Sequence, residues 1–214
     1  MLESPVTYII IALTAFVSWK AMDDTGMKLK LLMNPNAVVR RNEWSRVFTH
    51  ALVHGDWMHL FFNMFVLYSF GTIVEQIFSK PELGFMGFGK MGHVLFIALY
   101  IGGIIFASIP SLIKHRDNPN YNSLGASGAV FAVMTAFVIM LPLEKLLLFF
   151  VLPIPGWVAL ALMFVFEYSM QKRGGTGIAH DAHLWGAAFG VIFMMILNVD
   201  YILNFFRQIT SVFS

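Results

Sequence analysis

Six predominantly apolar stretches divide this sequence and leave it few ways to fold: residues 5–22, 59–78, 92–113, 125–141, 146–170 and 183–206. Each approaches or exceeds the roughly 20 residues that a helix needs to cross a bilayer core of about 30 Å. Lipid offers no partner for an exposed backbone N–H or C=O, so apolar segments of this length are expected as helices. Between them lie short polar or glycine-rich connections, among them Lys80-Pro81-Glu82, Lys114-His115-Arg116-Asp117 and Lys172-Arg173-Gly174-Gly175. The prediction is an all-α membrane protein, one six-helix domain over residues 1–214. A composition of 58% hydrophobic and only 12% charged residues is too apolar for a soluble globular domain.

Local signals refine that outline. Glu3 and the lack of an Ala-x-Ala site argue against a cleaved leader, so the first stretch is expected to stay as a helix, with Lys20 snorkelling at its end. Residues 23–57 are too many for a structureless loop, and their Leu and Met content predicts a folded, partly embedded segment. Pro153-Ile154-Pro155 should kink or delay the fifth helix. Without cysteine, disulfides, thiolate metal sites and cysteine nucleophiles are excluded. A scattered net charge of +2 gives no footprint for nucleic acid.

The chemistry centres on Gly125-Ala126-Ser127-Gly128, which opens the fourth stretch. By itself a small-residue motif of this kind is ordinary helix packing, in which glycines let backbones approach and a hydroxyl bonds the preceding turn. An activated nucleophile needs a base and donors for an oxyanion as well. Helices two, four and six run the same way, so their N-terminal ends share one membrane face. On that face lie His59 and Asn63, Ser127, and His183. Polar groups inside a membrane are costly and mark functional positions. Gly186 and Gly190 form a small-residue face beside His183, along which the fourth helix can approach with Gly125 and Gly128. His183 can then reach the Ser127 hydroxyl as a general base. His59 and Asn63, spaced i, i+4, can donate to an oxyanion together with the Ser127 N–H. No acid stands obviously placed to orient His183. Asp181 precedes the helix and is expected to face solvent, so the pair reads as a dyad. Phe131, one turn beyond Ser127, can stack under the imidazole, although core packing is the ordinary role of such a ring.

With these residues the chain resembles the rhomboid intramembrane serine proteases. The likeness runs in order through Arg46 with Thr49-His50-Ala51-Leu52-Val53-His54, His59-Leu60-Phe61-Phe62-Asn63 with Gly71 and Glu75, the Gly125–Gly128 motif, and Ala182-His183-Leu184-Trp185-Gly186 with Gly190. The resemblance implies a six-transmembrane-helix rhomboid-like bundle with a partly embedded first loop. It implies Ser127 as nucleophile, His183 as base and an oxyanion site at His59 and Asn63, with His54 and Glu75 structural. Transmembrane protein substrates cut near the outer face of a lipid bilayer follow as partners, with no cofactor, no metal and no nucleic acid. Two departures stand out: the family's adjacent Trp-Arg is Trp44-Ser45-Arg46 here, and Phe131 replaces a frequent Tyr.

Two rivals are weighed against this. Histidines 50, 54, 59, 180 and 183 suggest a metal site, but the His-Glu-x-x-His helix that marks a hydrolytic zinc site is absent. A catalytically inactive rhomboid-like membrane adaptor would be expected to lack Ser127 or His183, and both are present. The resemblance places the chain in a bacterial inner membrane with both termini cytoplasmic. Lys28, Lys30, Arg40, Arg41 and other cations then lie outside, against the positive-inside tendency. The family's orientation is preferred because many of these charges belong to the folded first loop.

Overall fold

The computed structural model describes residues 3–80, 87–148, 151–174 and 179–213. Helix α1 (Pro5–Asp23) starts on a proline, whose missing N–H is no loss at the first helical turn. Its free N-terminal N–H groups are bound by a buried carboxylate from elsewhere in the chain: Glu75 accepts from Val6 N at 3.0 Å and Thr7 N at 2.8 Å. The inward face of α1 carries Thr7, Thr14, Ser18 and Ala21, small residues that permit close packing. Ile9, Leu13 and Phe16 project outward.

The first loop folds, in keeping with its composition, into α2 (Thr25–Leu31), α3 (Pro35–Arg41), α4 (Arg46–Thr49) and a 3-10 turn over His50–Leu52. Asp24 and Asn34 cap α2 and α3 by accepting from Met27 N and Ala37 N. Despite the extra serine in Trp44-Ser45-Arg46, Arg46 donates to the carbonyls of Leu29 and Leu32 and pairs with Glu43. The Asn34 amide also donates to Pro119 O and Tyr121 O, fastening this loop to the segment that leads into Ser127.

The second span, Trp57–Ser79, comprises α5 (Trp57–Val66), a π-helical turn at Leu67–Gly71 and α6 (Thr72–Ser79). It begins two residues before the expected 59, because Asp56 caps it by accepting from His59 N at 2.8 Å. Next come α7 (Lys90–Lys114) and α8 (Ser127–Met140). At fourteen residues α8 is short for a span, yet Gly128–Met140 is buried except at Phe131. A helix apolar all round, as this one is, belongs at the centre of a bundle.

Two expectations about helix limits are corrected. Residues 146–148 and 152–155 are not the start of the fifth helix: β1 (Lys145–Leu148) pairs antiparallel with β2 (Leu152–Pro155), Lys145 opposite Pro155. Pro153 and Pro155 each push the residue before them into extended backbone, so α9 (Gly156–Arg173) can start only after both. The sixth segment likewise divides into α10 (His180–Leu197) and α11 (Val199–Thr210). Between them Asn198 is extended, and its side chain accepts from Asp200 N at 2.8 Å, capping the second helix rather than continuing the first.

Among the described residues, α1, Trp57–Ser79, α7 and α10 are each long and apolar enough to cross a membrane. This is a helical integral membrane protein, and its bundle closes around α8. Side chains are nearly excluded where α10 crosses α8. A Cβ added at Gly186 would overlap the Gly128 carbonyl, and one at Gly190 would lie 2.6 Å from Ala132 O.

Candidate active site

The glycine-lined crossing of α8 and α10 sets the site. Ser127 is the first residue of α8 and His183 lies in the first turn of α10, so both are held at one end of the bundle. His183 Nε2 and Ser127 Oγ are 2.7 Å apart. Phe131 stacks on the imidazole with ring centroids 4.4 Å apart and planes 13° from parallel, so the ring fixes the plane of the imidazole.

Gly125 has φ +111°, a conformation that favours glycine, and a Cβ there would come within 2.8 Å of the His59 ring. His59 therefore occupies space that only a glycine leaves open. It lines a cavity of about 620 Å³ together with Asn63, Ser127 and His183, and Phe62 and Met163 close its sides. The Asn63 amide donates to the His59 carbonyl at 3.0 Å, which anchors the amide one turn along α5.

His54 stands behind the cavity, fully buried. Its Nε2 accepts from Ala126 N at 3.4 Å, so the ring proton belongs on Nδ1, directed to Ser18 Oγ 2.8 Å away. Ser18 passes its own proton to Leu52 O. The chain of bonds ties α1, the first loop and the turn before Ser127 together. Burial pushes His54 down to about 3, helped by neighbouring His59, and burial pushes His50 down to about 4. His50 Nε2 meets Ser108 Oγ at 3.1 Å while its carbonyl accepts from Gly125 N. The backbone N–H of His59 holds the Asp56 carboxyl below its usual range.

Glu167 on α9 is not among the residues singled out from the sequence, and His180, at the start of α10, enters there only as part of the rival metal site. Glu167 Oε2 lies 2.5 Å from His180 Nδ1 and 3.0 Å from His183 Nδ1. The signal was available: Glu167 is a lone acid within the apolar run Phe164-Val165-Phe166, and such residues are functional candidates by default. Asp181, expected to face solvent, is buried and accepts from Ala182 N at 2.9 Å. Among the described residues, Glu167, His180 and His183 also bring donor atoms within 4.8 Å of one another, a set of groups able to ligate a metal ion.

The chain is 27% identical over 192 residues to RHOMBOID-like protein 12, mitochondrial, of Arabidopsis thaliana, a match covering 83% of this chain and 53% of that protein. To Rhomboid protein 1, mitochondrial, of Saccharomyces cerevisiae it is 32% identical over 151 residues, 67% of this chain and 39% of that protein. To Rhomboid protease GluP of Bacillus subtilis it is 32% identical over 103 residues, 48% of this chain and 17% of that protein. The chain thus spans about half or less of the length of these relatives. The rhomboid domain model matches residues 41–199, a region that holds Ser127, His183, His59 and Asn63, and on that match this chain belongs to the rhomboid family.

Proposed function

We propose that this chain is an intramembrane serine endopeptidase that cleaves transmembrane protein substrates near the membrane face onto which its cavity opens. The observation that carries the reading is the 2.7 Å approach of His183 Nε2 to Ser127 Oγ at the head of a buried membrane helix, beside a cavity. His183 Nε2 takes the Ser127 proton as Oγ attacks the substrate carbonyl, then returns it to the leaving amine. Charge on the tetrahedral oxygen is met by Asn63, His59 and the Ser127 N–H, donors that in a hydrolase are each worth about 2.7–4 kcal/mol of transition-state stabilisation. Water from the cavity then releases the acyl group with His183 again as base. Gly128, Gly186 and Gly190 give the close approach, Gly125 leaves room for the His59 ring, Phe131 holds the imidazole plane, and His54 secures the loop behind. No step draws on a cofactor.

The proposed unit is a single domain with both termini cytoplasmic and the site on the opposite face. Several cations that oppose this orientation are engaged within the fold: Lys28 Nζ donates to Gly55 O at 3.0 Å, Arg46 binds two carbonyls, and Arg40 pairs with Asp117. The relatives include mitochondrial and bacterial proteins, so a bacterial inner membrane is one of two settings in which the same chemistry would run.

The test is labelling by a fluorophosphonate in proteoliposomes, with cleavage of a transmembrane substrate measured alongside. Ser127→Ala should abolish both, and His183→Ala should abolish cleavage. The double variant should be little worse than either single one, because the pair acts as a unit. Near-wild-type turnover in either single variant would overturn the assignment, and an inactive adaptor would show no Ser127-dependent label at all.

A further inference from the structure

We propose that Glu167 is the positioning residue for His183, so that α9 completes a serine–histidine–glutamate relay in which His180 steadies the carboxylate. The inference rests on the reading of Ser127 and His183 as the reacting pair.

The first support is placement. Of the residues on α9 only Gly156 and Glu167 are buried, so the one acid of this helix is also its one enclosed side chain. A buried carboxylate is costly unless it is paired. Here a single oxygen, Oε2, lies 2.5 Å from His180 Nδ1 and 3.0 Å from His183 Nδ1. The second support is need. His183 Nδ1 is buried and makes no aligned hydrogen bond among the described residues, so Oε2 is the acceptor within reach. A carboxylate accepts only, so it selects the tautomer of His183 with its proton on Nδ1. Nε2 then carries a lone pair, and the Ser127 hydroxyl, 2.7 Å away, is the donor. That is the protonation pattern general-base catalysis requires.

The third support is charge. When His183 takes the serine proton it becomes cationic in a largely enclosed site, and the Glu167 negative charge beside Nδ1 offsets that gain. A carboxylate in this position stabilises the imidazolium without itself taking a proton. His180, sharing the same oxygen, limits its freedom to swing away. The other titratable groups near His183 are Asp181 on its own helix and His59 from α5, while α8 presents the Ser127 hydroxyl and the Phe131 ring. Asp181 is turned to the Ala182 N–H, and His59 lies across the cavity, so neither replaces Glu167 at Nδ1.

A purely structural alternative would have Glu167 and His180 clamp α9 to α10 and leave His183 unaffected. The full-length protein in proteoliposomes separates the two. With Glu167→Gln, kcat for a transmembrane substrate should fall by about 10²- to 10⁴-fold, the range that general-base catalysis contributes, while KM holds. The acid limb of the pH–rate profile should move to lower pH, because an adjacent opposite charge favours the protonated imidazole. Glu167→Asp, which keeps the charge, should recover part of kcat, and His180→Gln should leave the limb near its wild-type position. An unmoved limb, or Glu167→Asp no better than Glu167→Gln in two folded variants, overturns the proposal. So does wild-type activity that EDTA removes and zinc restores, which would make the cluster a metal site. If Glu167→Gln does not fold, proton NMR of wild-type protein with ¹⁵N-labelled histidine decides. A low-field Nδ1 proton on His183 that shifts in Glu167→Asp supports the relay, and its absence overturns it. Should Ser127→Ala keep activity, the reacting pair itself is wrong; an inactive Ser127→Ala with an unmoved Glu167→Gln limb rejects the relay alone.

Discussion

His54 shows how a residue buried behind the cavity governs the turn before Ser127. Its Nε2 accepts from Ala126 N only while neutral, and burial holds it neutral down to about pH 3. An unfolded histidine titrates near 6.5. Above pH 6.5 neither state carries the proton and the group adds no pH dependence. As pH falls from 6.5 toward 3, the unfolded chain takes up a proton that the folded protein refuses, so stability declines with acid. His50, pushed to about 4, acts in the same direction and window. Unfolding measured in detergent between pH 6.5 and 5.5 should therefore show stability falling with acid, and His50→Asn should lower the proton uptake on unfolding by about one. A flat profile over that window would contradict neutral burial of these rings. At this scale the sequence was legible wherever a group sits in a local motif. Ser127, His183, His59 and Asn63 are all singled out that way, and all four line one cavity. Glu167 was not, because it reaches His183 only through the packing of α9 on α10, a relation that local spacing does not encode.

At the scale of elements, the crossing of α8 on α10 decides whether the pair can meet. In a membrane the hydrophobic effect does not drive helices together, so contact depends on close backbone packing. Gly186 has no room for a methyl group against the Gly128 carbonyl. Gly186→Ala should force the helices apart, costing about 1–3 kcal/mol of stability, and lengthen the 2.7 Å contact between His183 and Ser127. The expected readout is a lower melting temperature in detergent together with slower fluorophosphonate labelling. An unchanged rate with an unchanged melting temperature would show that the crossing is looser than its geometry implies. Apolar segment length located the helices well but not all their ends. The paired strands Lys145–Leu148 and Leu152–Pro155 and the break at Asn198 lie inside apolar runs, where hydropathy reads continuity. Backbone chemistry of proline and asparagine overrode it. The signal at Pro153 and Pro155 was read as a delay of the fifth helix, and pairing of those residues in a strand was the part beyond reach.

At the scale of the whole molecule the proposed activity poses a problem of access, since a membrane-helix substrate would have to bring its scissile carbonyl to a serine at the head of an enclosed helix. Intact helices hide their carbonyls in hydrogen bonds that lipid cannot replace, so entry must be sideways, into a space that can hydrate the unwound segment. The cavity beside Ser127 is bounded by Phe62 and Val66 on α5 and by Met163 on α9. Helix α9 buries little of its surface in the bundle and begins after β2 rather than from a continuous helical run. The route between α5 and α9 is therefore the expected entrance for lipid-borne substrate. Met163 is a poor place to probe it, because Met163 and Glu167 are one turn apart on one face of α9 and a change there would disturb the carboxylate as well. Phe62, on the opposite wall and 42% exposed, avoids that coupling. Phe62→Ala should raise cleavage of a membrane-embedded substrate severalfold while changing cleavage of a soluble peptide much less, because the peptide enters from water. Substrates with glycine or proline near the site-side membrane boundary should gain least, since they already unwind there. Equal acceleration of both substrate types would place the effect in the cavity rather than at an entrance, and the sideways route would be rejected.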